Sequence, residues 1–201
     1  PQTKIMAVTK NFSYKAINSA IANNIFLIGE NKIQETEKKI TQVISREKIK
    51  LHFIGTIQSN KIKTAVQIYD VIETVSSEKH LLKIQKEAKK INKKQKIYFQ
   101  INIGKDPKKG GVLKKELLVL LKQTPQALNV EFQGLMTILP QNTKKNQQTR
   151  LYEKMKALFN QIQKEYPSCI NLSMGMSNDF EQASKAGATH VRIGTKLYGQ
   201  R

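Results

Sequence analysis

Lys10 follows the β-like run Ile5–Thr9 and, by period-two alternation, shares a face with Met6 and Val8. An amine at the end of such a strand is partly desolvated. Desolvation lowers a lysine pKa and raises the fraction of free amine, the form that attacks an aldehyde. Taken alone, the residue reads first as a strand-end lysine that reaches water. The run Val191-Arg192-Ile193-Gly194-Thr195 puts Arg192 on the face opposite Val191 and Ile193, and an interior arginine is costly unless a ligand, a carboxylate or another acceptor meets it. Two loops, Ser173-Met174-Gly175-Met176-Ser177-Asn178-Asp179 and Gly194-Thr195, combine glycine for close backbone approach with a hydroxyl that can donate to phosphate. Turn chemistry, with Ser177 or Asn178 capping a helix, accounts for either loop singly. It accounts less well for both together with Lys10 and Arg192.

The elements that would position these residues alternate along the whole chain. Eight β-like runs are legible: Ile5–Thr9, Phe26–Gly29, Leu51–Gly55, Val71–Val75, Lys96–Ile103, Val130–Ile138, Ile170–Met174 and His190–Ile193. Helical patterns separate them at Tyr14–Asn23, Lys32–Ile44, Glu78–Ile91, Leu113–Lys122, Gln148–Tyr166 and Asp179–Ala186, with a shorter one after Ser59. Strict alternation implies a parallel sheet with right-handed crossovers, and eight repeats are the number that closes into a (β/α)8 TIM barrel. A doubly wound open sheet is the competing arrangement, but no Gly-x-Gly-x-x-Gly follows the first strand. The expectation is one barrel domain over residues 1–201, with Gln141–Gln148 as a polar loop before a helix.

In such a barrel the active site lies at the carboxyl ends of the strands, and the loops after strands seven and eight commonly cradle phosphate. Lys10, Arg192 and both glycine-containing loops fall there. Glu30 and Asn31 follow strand two, His52 lies in strand three, and Gln100 and Asn102 share one face of strand five. A lone His52 reads first as a hydrogen-bonded core histidine. Lys61 and Lys109 read as mobile surface cations.

Composition narrows the functional classes. With 39% apolar and 25% charged residues, the chain has the means to build a core. The single Cys169 excludes an internal disulfide, and the scattered His52, His80 and His190 offer no metal-ligand spacing, so a reducing, metal-free cytoplasmic setting is expected. No apolar run approaches the roughly 20 residues of a membrane helix, and no secretory core precedes Lys10. The net charge of +20 raises the possibility of nucleic-acid binding. However, only four of the 35 basic residues are arginine, and the dense run Lys86–Lys96 has no interleaved aromatic on which a base could stack. Solvated helix faces and a compositional bias toward lysine explain the charge without a specific nucleic-acid partner.

The chain resembles the pyridoxal phosphate homeostasis proteins, which are related to the barrel domain of bacterial alanine racemase. The segments that carry the resemblance are Ala7-Val8-Thr9-Lys10, Gly29-Glu30-Asn31-x-x-Gln34-Glu35, His52-Phe53-Ile54-Gly55-x-x-Gln58-Ser59-Asn60-Lys61, Gly134-Leu135-Met136-Thr137-Ile138, Ser173-Met174-Gly175-Met176-Ser177 and Val191-Arg192-Ile193-Gly194-Thr195. They occur in the family's order from one end of the chain to the other. The resemblance implies pyridoxal 5′-phosphate (PLP) as cofactor, Lys10 as the Schiff-base lysine, and Ser177, Gly194 and Thr195 as phosphate contacts. It implies that Arg192 faces the pyridine nitrogen, where a cation keeps that nitrogen unprotonated and restrains carbanion chemistry. Asn31, His52 and Ser173 match positions near the ligand, and Met176 belongs to the same matched segment. Two departures stand out. The helix that usually precedes the first strand is expected to lack a counterpart, and the family's Ser-Lys-Ser-Gly-like stretch reads Lys108-Lys109-Gly110-Gly111.

The function expected is a protein that binds PLP on Lys10 and serves vitamin B6 homeostasis without dedicated catalysis, with PLP-dependent apoenzymes as candidate recipients and a monomeric state. A racemase-like enzyme is the first alternative. It needs a second base from a carboxyl-terminal domain, and with Arg201 following soon after strand eight, none is expected. A basic nucleic-acid binder on an inherited barrel is the third reading.

Overall fold

The computed structural model of the chain describes residues 2–199. Eight parallel strands close into a barrel in sequence order, β1 pairing with β8. They are β1 (Lys4–Val8), β2 (Leu27–Glu30), β3 (Lys50–Phe53), β4 (Val71–Val75), β5 (Gln95–Ile101), β6 (Val130–Thr137), β7 (Asn171–Met176) and β8 (His190–Ile193). Each is followed by a helix: α1 (Tyr14–Ala22), α2 (Ile33–Ile40), α3 (Ile62–Ile68), α4 (Glu78–Lys90), α5 (Lys114–Gln123), α6 (Lys145–Glu165), α7 (Phe180–Lys185) and α8 (Thr195–Tyr198). The fold is the (β/α)8 TIM barrel that the alternation predicts, and every strand lies within about three residues of its expected place.

The principal core sits between the outer face of the barrel and the helices. Leu51, Phe53, Ile97, Phe99, Leu172, Val191 and Ile193 point outward into it and meet helix residues such as Leu117, Leu121, Tyr152 and Ile162. Helix α6 shows why: Tyr152, Met155, Phe159 and Ile162 recur at three- and four-residue spacing and are all buried, while the lysines between them face water. Ser77 starts α4 by accepting a hydrogen bond from the His80 amide at 3.2 Å. Inside the barrel the complementary positions are unusually polar. His52, Glu73, Gln100, His190 and Arg192 are all buried.

Two helix boundaries differ from the pattern. The apolar spacing extends the second helix to Ile44, but α2 stops at Ile40: Ser45 adopts a left-handed φ of 58° and a 3-10 turn over Arg46–Lys48 leads into β3. Val43 is still buried, so its spacing reports packing beyond the helix end. Helix α6 begins at Lys145 instead of Gln148, with the Gln147 side chain accepting from the Lys144 amide at 3.4 Å, so the polar loop is shorter than expected. No helix among the described residues is long and apolar enough to cross a membrane.

Cys169 lies fully buried just before β7, and burial pushes its thiol pKa up to about 12. At pH 8 its thiolate fraction is about a thousandfold below that of a free thiol, for which the pKa is about 8.5. The folded chain is therefore expected to resist alkylation by iodoacetamide and to react at once in denaturant. Equal rates in both states would contradict the packing.

Candidate functional site

The chain leaves β1 through Thr9 and turns at Lys10 and Asn11. Lys10 is half-buried in the turn at the carboxyl end of the barrel. The turn is held from beneath. The Thr9 hydroxyl donates to Glu30, a fully buried carboxylate at the end of β2. The Lys39 ammonium, on α2, reaches Glu30 at 2.6 Å and donates to the carbonyls of Thr9 and Phe12 at 2.9 and 3.0 Å, on either side of Lys10. Glu35 accepts from Lys39 at 3.0 Å and from the Asn11 amide at 2.6 Å. Asn11 takes a left-handed φ of 60°, which asparagine tolerates better than most residues. Burial pushes the Glu30 pKa up, and its bonds to Lys39 and Thr9 recover only part of that shift. Sequence reasoning named Glu30 but missed Lys39. The available signal was its i,i+4 spacing from Glu35, which on an exposed helix face means little.

Across the β1–β8 seam, Met6 lies in register with Arg192. Arg192 is buried inside the barrel, where burial pulls its pKa down, and its hydrogen bonds go to two neutral oxygens, Ser173 Oγ at 2.6 Å and the Thr137 carbonyl at 2.7 Å. A guanidinium remains charged even so. Such a cation, with neutral partners and donors to spare, suits a ligand that brings electron density to it.

The two loops expected to cradle an anion are joined: the Gly194 amide donates to Ser177 Oγ at 3.2 Å. Asp179 shapes the first loop, accepting from the Met176 amide at 2.6 Å and from the Tyr152 hydroxyl at 2.8 Å. Gly175 has φ of 91°, and a Cβ there would fall 2.4 Å from that of Ala183, so only glycine lets β7 turn so close to α7. Ser173 and Ser177 are buried, whereas Met176 and Thr195 are exposed. Helix α8 returns toward β1: the Tyr198 hydroxyl donates to the Ala16 carbonyl at 3.0 Å, and its ring lies 5.2 Å from that of Phe12.

The remaining sequence candidates divide. Asn31 is half-buried at the end of β2, and its Oδ1 is buried without a hydrogen-bond partner. Gln100 and Asn102 hold a loop instead: Gln100 donates to the Gly110 carbonyl at 2.9 Å, and Asn102 donates to the Asp106 carbonyl at 2.8 Å. His52 lies deeper. It is in register with Gly29, which pairs with Val8, and its Nδ1 is 2.6 Å from Glu73.

The fold and this strand-end arrangement define a barrel of the alanine racemase N-terminal domain class, and the model of that family matches residues 1–201. The chain belongs to the pyridoxal phosphate homeostasis protein family. The family member from Aquifex aeolicus is 35% identical over 98% of this chain and 87% of its own length, and the member from Synechocystis is 35% identical over 100% and 93%. The PipY protein of Synechococcus elongatus, solved with PLP bound, superposes with a TM-score of 0.91 at 30% identity, covering 99% of this chain and 93% of that one.

Proposed function

We propose that this chain binds PLP as a Schiff base on Lys10 and serves intracellular PLP homeostasis as a carrier without dedicated catalysis. The observation that carries the reading is the buried Arg192 on β8, whose hydrogen bonds among the described residues go to neutral oxygens and whose strand pairs with β1, the strand that leads into Lys10. The likeness to PipY, a protein solved with PLP bound, supports it. In this reading Ser177, Gly194 and Thr195 meet the phosphate, Ser173 orients Arg192, and Asn31 and Met176 border the ligand. His52 belongs to the floor beneath.

PLP supplies an aldehyde for the lysine and an electron sink for carbanion chemistry. Arg192 limits the second role: a cation facing the pyridine nitrogen disfavours its protonation and weakens the sink. The residues therefore favour holding the cofactor over turning substrate over. A cytoplasmic monomer with one domain, delivering to PLP-dependent apoenzymes, completes the proposal.

The test is transfer. Chain loaded with PLP and freed of excess cofactor is mixed with an apoenzyme that requires PLP, and activity recovery is compared with that from the same concentration of free PLP. Restored apoenzyme, with alanine racemised no faster than by free PLP, is the expected result. Racemisation well above the free-cofactor rate would make the protein an enzyme, and failure to load would remove the reading altogether.

A further inference from the structure

His52 and His190 approach one carboxylate inside the barrel. His52 Nδ1 lies 2.6 Å and His190 Nε2 3.2 Å from the same oxygen of Glu73, and all three residues are buried. The other Glu73 oxygen, also buried, has no hydrogen-bond partner among the described residues. The cluster is thus a buried carboxylate with one unused oxygen among the described residues, beside two imidazole nitrogens. Arg192, buried in the same interior, interacts electrostatically with Glu73 and offsets part of its charge, but leaves the second carboxylate oxygen without a hydrogen bond among the described residues.

We propose that His52, Glu73 and His190 form a binding site for one divalent cation of the zinc class. The three side chains offer donor atoms that all lie within 4.8 Å of one another. Four ligands around zinc at about 2.0–2.2 Å stand roughly 3.3–3.5 Å apart, so seating the ion takes shifts of about an ångström. Two imidazoles and one carboxylate suit zinc or cobalt, whereas magnesium and calcium prefer all-oxygen shells. His190 is already oriented from behind, its Nδ1 lying 3.1 Å from the Thr189 hydroxyl, the kind of outer contact that fixes a metal-binding tautomer. In the metal-bound state each imidazole carries its proton on the nitrogen away from the ion, so neutral histidines release none.

The ion has a route in. A cavity of about 980 Å³ opens at the amino-terminal end of the barrel, opposite Lys10, and His52 and His190 line it. Lys4, Lys50, Lys93, Lys94, Lys96 and Lys156 also line it, against the single carboxylate of Asp70. These ammoniums oppose a bare dication and favour an anion or hydroxide as the ligand that completes the shell. The site is separate from Lys10 and does not rest on the cofactor reading.

The experiment is titration of tag-free, chelator-stripped protein with Co²⁺, followed by visible absorption and then displaced with Zn²⁺. One Co²⁺ per chain, with the intense bands of a four- or five-coordinate site, is expected, together with a Zn²⁺-dependent rise in Tm. His190→Ala should weaken Co²⁺ binding by more than about 100-fold, and Thr189→Val, which leaves all three ligands, by about 10-fold. Circular dichroism checks that each variant folds. If His190→Ala does not fold, the Thr189→Val titration and the wild-type stoichiometry decide. No Co²⁺ bands in the wild type, or bands untouched in folded variants, would overturn the site.

Discussion

Replacing Lys10 by alanine is expected to abolish the yellow Schiff-base absorbance that appears when the protein is mixed with PLP, and to weaken PLP retention by at least about 100-fold, or roughly 2.7 kcal/mol. The covalent link is the one contact that phosphate-binding loops and a buried arginine cannot replace. The fold should survive, because Lys10 is half-buried in a turn whose anchors are the Thr9 and Phe12 carbonyls. Borohydride reduction of the wild-type complex followed by peptide mapping gives the decisive comparison. One labelled peptide containing Lys10 supports the assignment. Label spread evenly over the 31 lysines, or a full band in the alanine variant, sinks it.

Lys39→Met should cost about 3–5 kcal/mol of stability, because it strands Glu30 as an unpaired buried carboxylate. At about 2–4 °C per kcal/mol for a chain of this size, Tm should drop by about 10 °C. The sign of its pH dependence follows from Glu30. The pKa is already raised by burial, and losing Lys39 raises it further above its unfolded value. Between those two values the folded variant binds more protons than the unfolded chain, so its stability falls as pH rises and recovers on acidification. The deficit against wild type should therefore grow as pH rises and shrink on acidification toward pH 4.5. Glu30→Gln in the same chain should restore part of the loss, since a neutral amide costs less to bury. PLP affinity should fall as well, because the carbonyls flanking Lys10 lose their clamp. A Lys39→Met protein as stable as wild type at neutral pH would refute the network.

The sequence alone determined the barrel. Eight β-like runs separated by seven helical patterns allow few architectures, because parallel strands need crossovers and crossovers have one hand. Parity within β8 placed Arg192 inside the barrel, since side-chain direction along a strand is a local property. The glycines and hydroxyls after β7 and β8 were legible for the same reason.

The tertiary structure decided which distant side chains meet. His52, Glu73 and His190 converge across separations of 21 and 117 residues. Read by spacing, the histidines offered no ligand set. Barrel closure assembles one, because β8 returns beside β1 and the stagger between strands sets which interior residues share a level. Lys39 was hidden in the same way. On α2 it looks like another solvated lysine among many, until the helix packs over the ends of β1 and β2 and encloses its ammonium with Glu30. Local sequence sets which face a residue takes; only closure and packing set what it finds there.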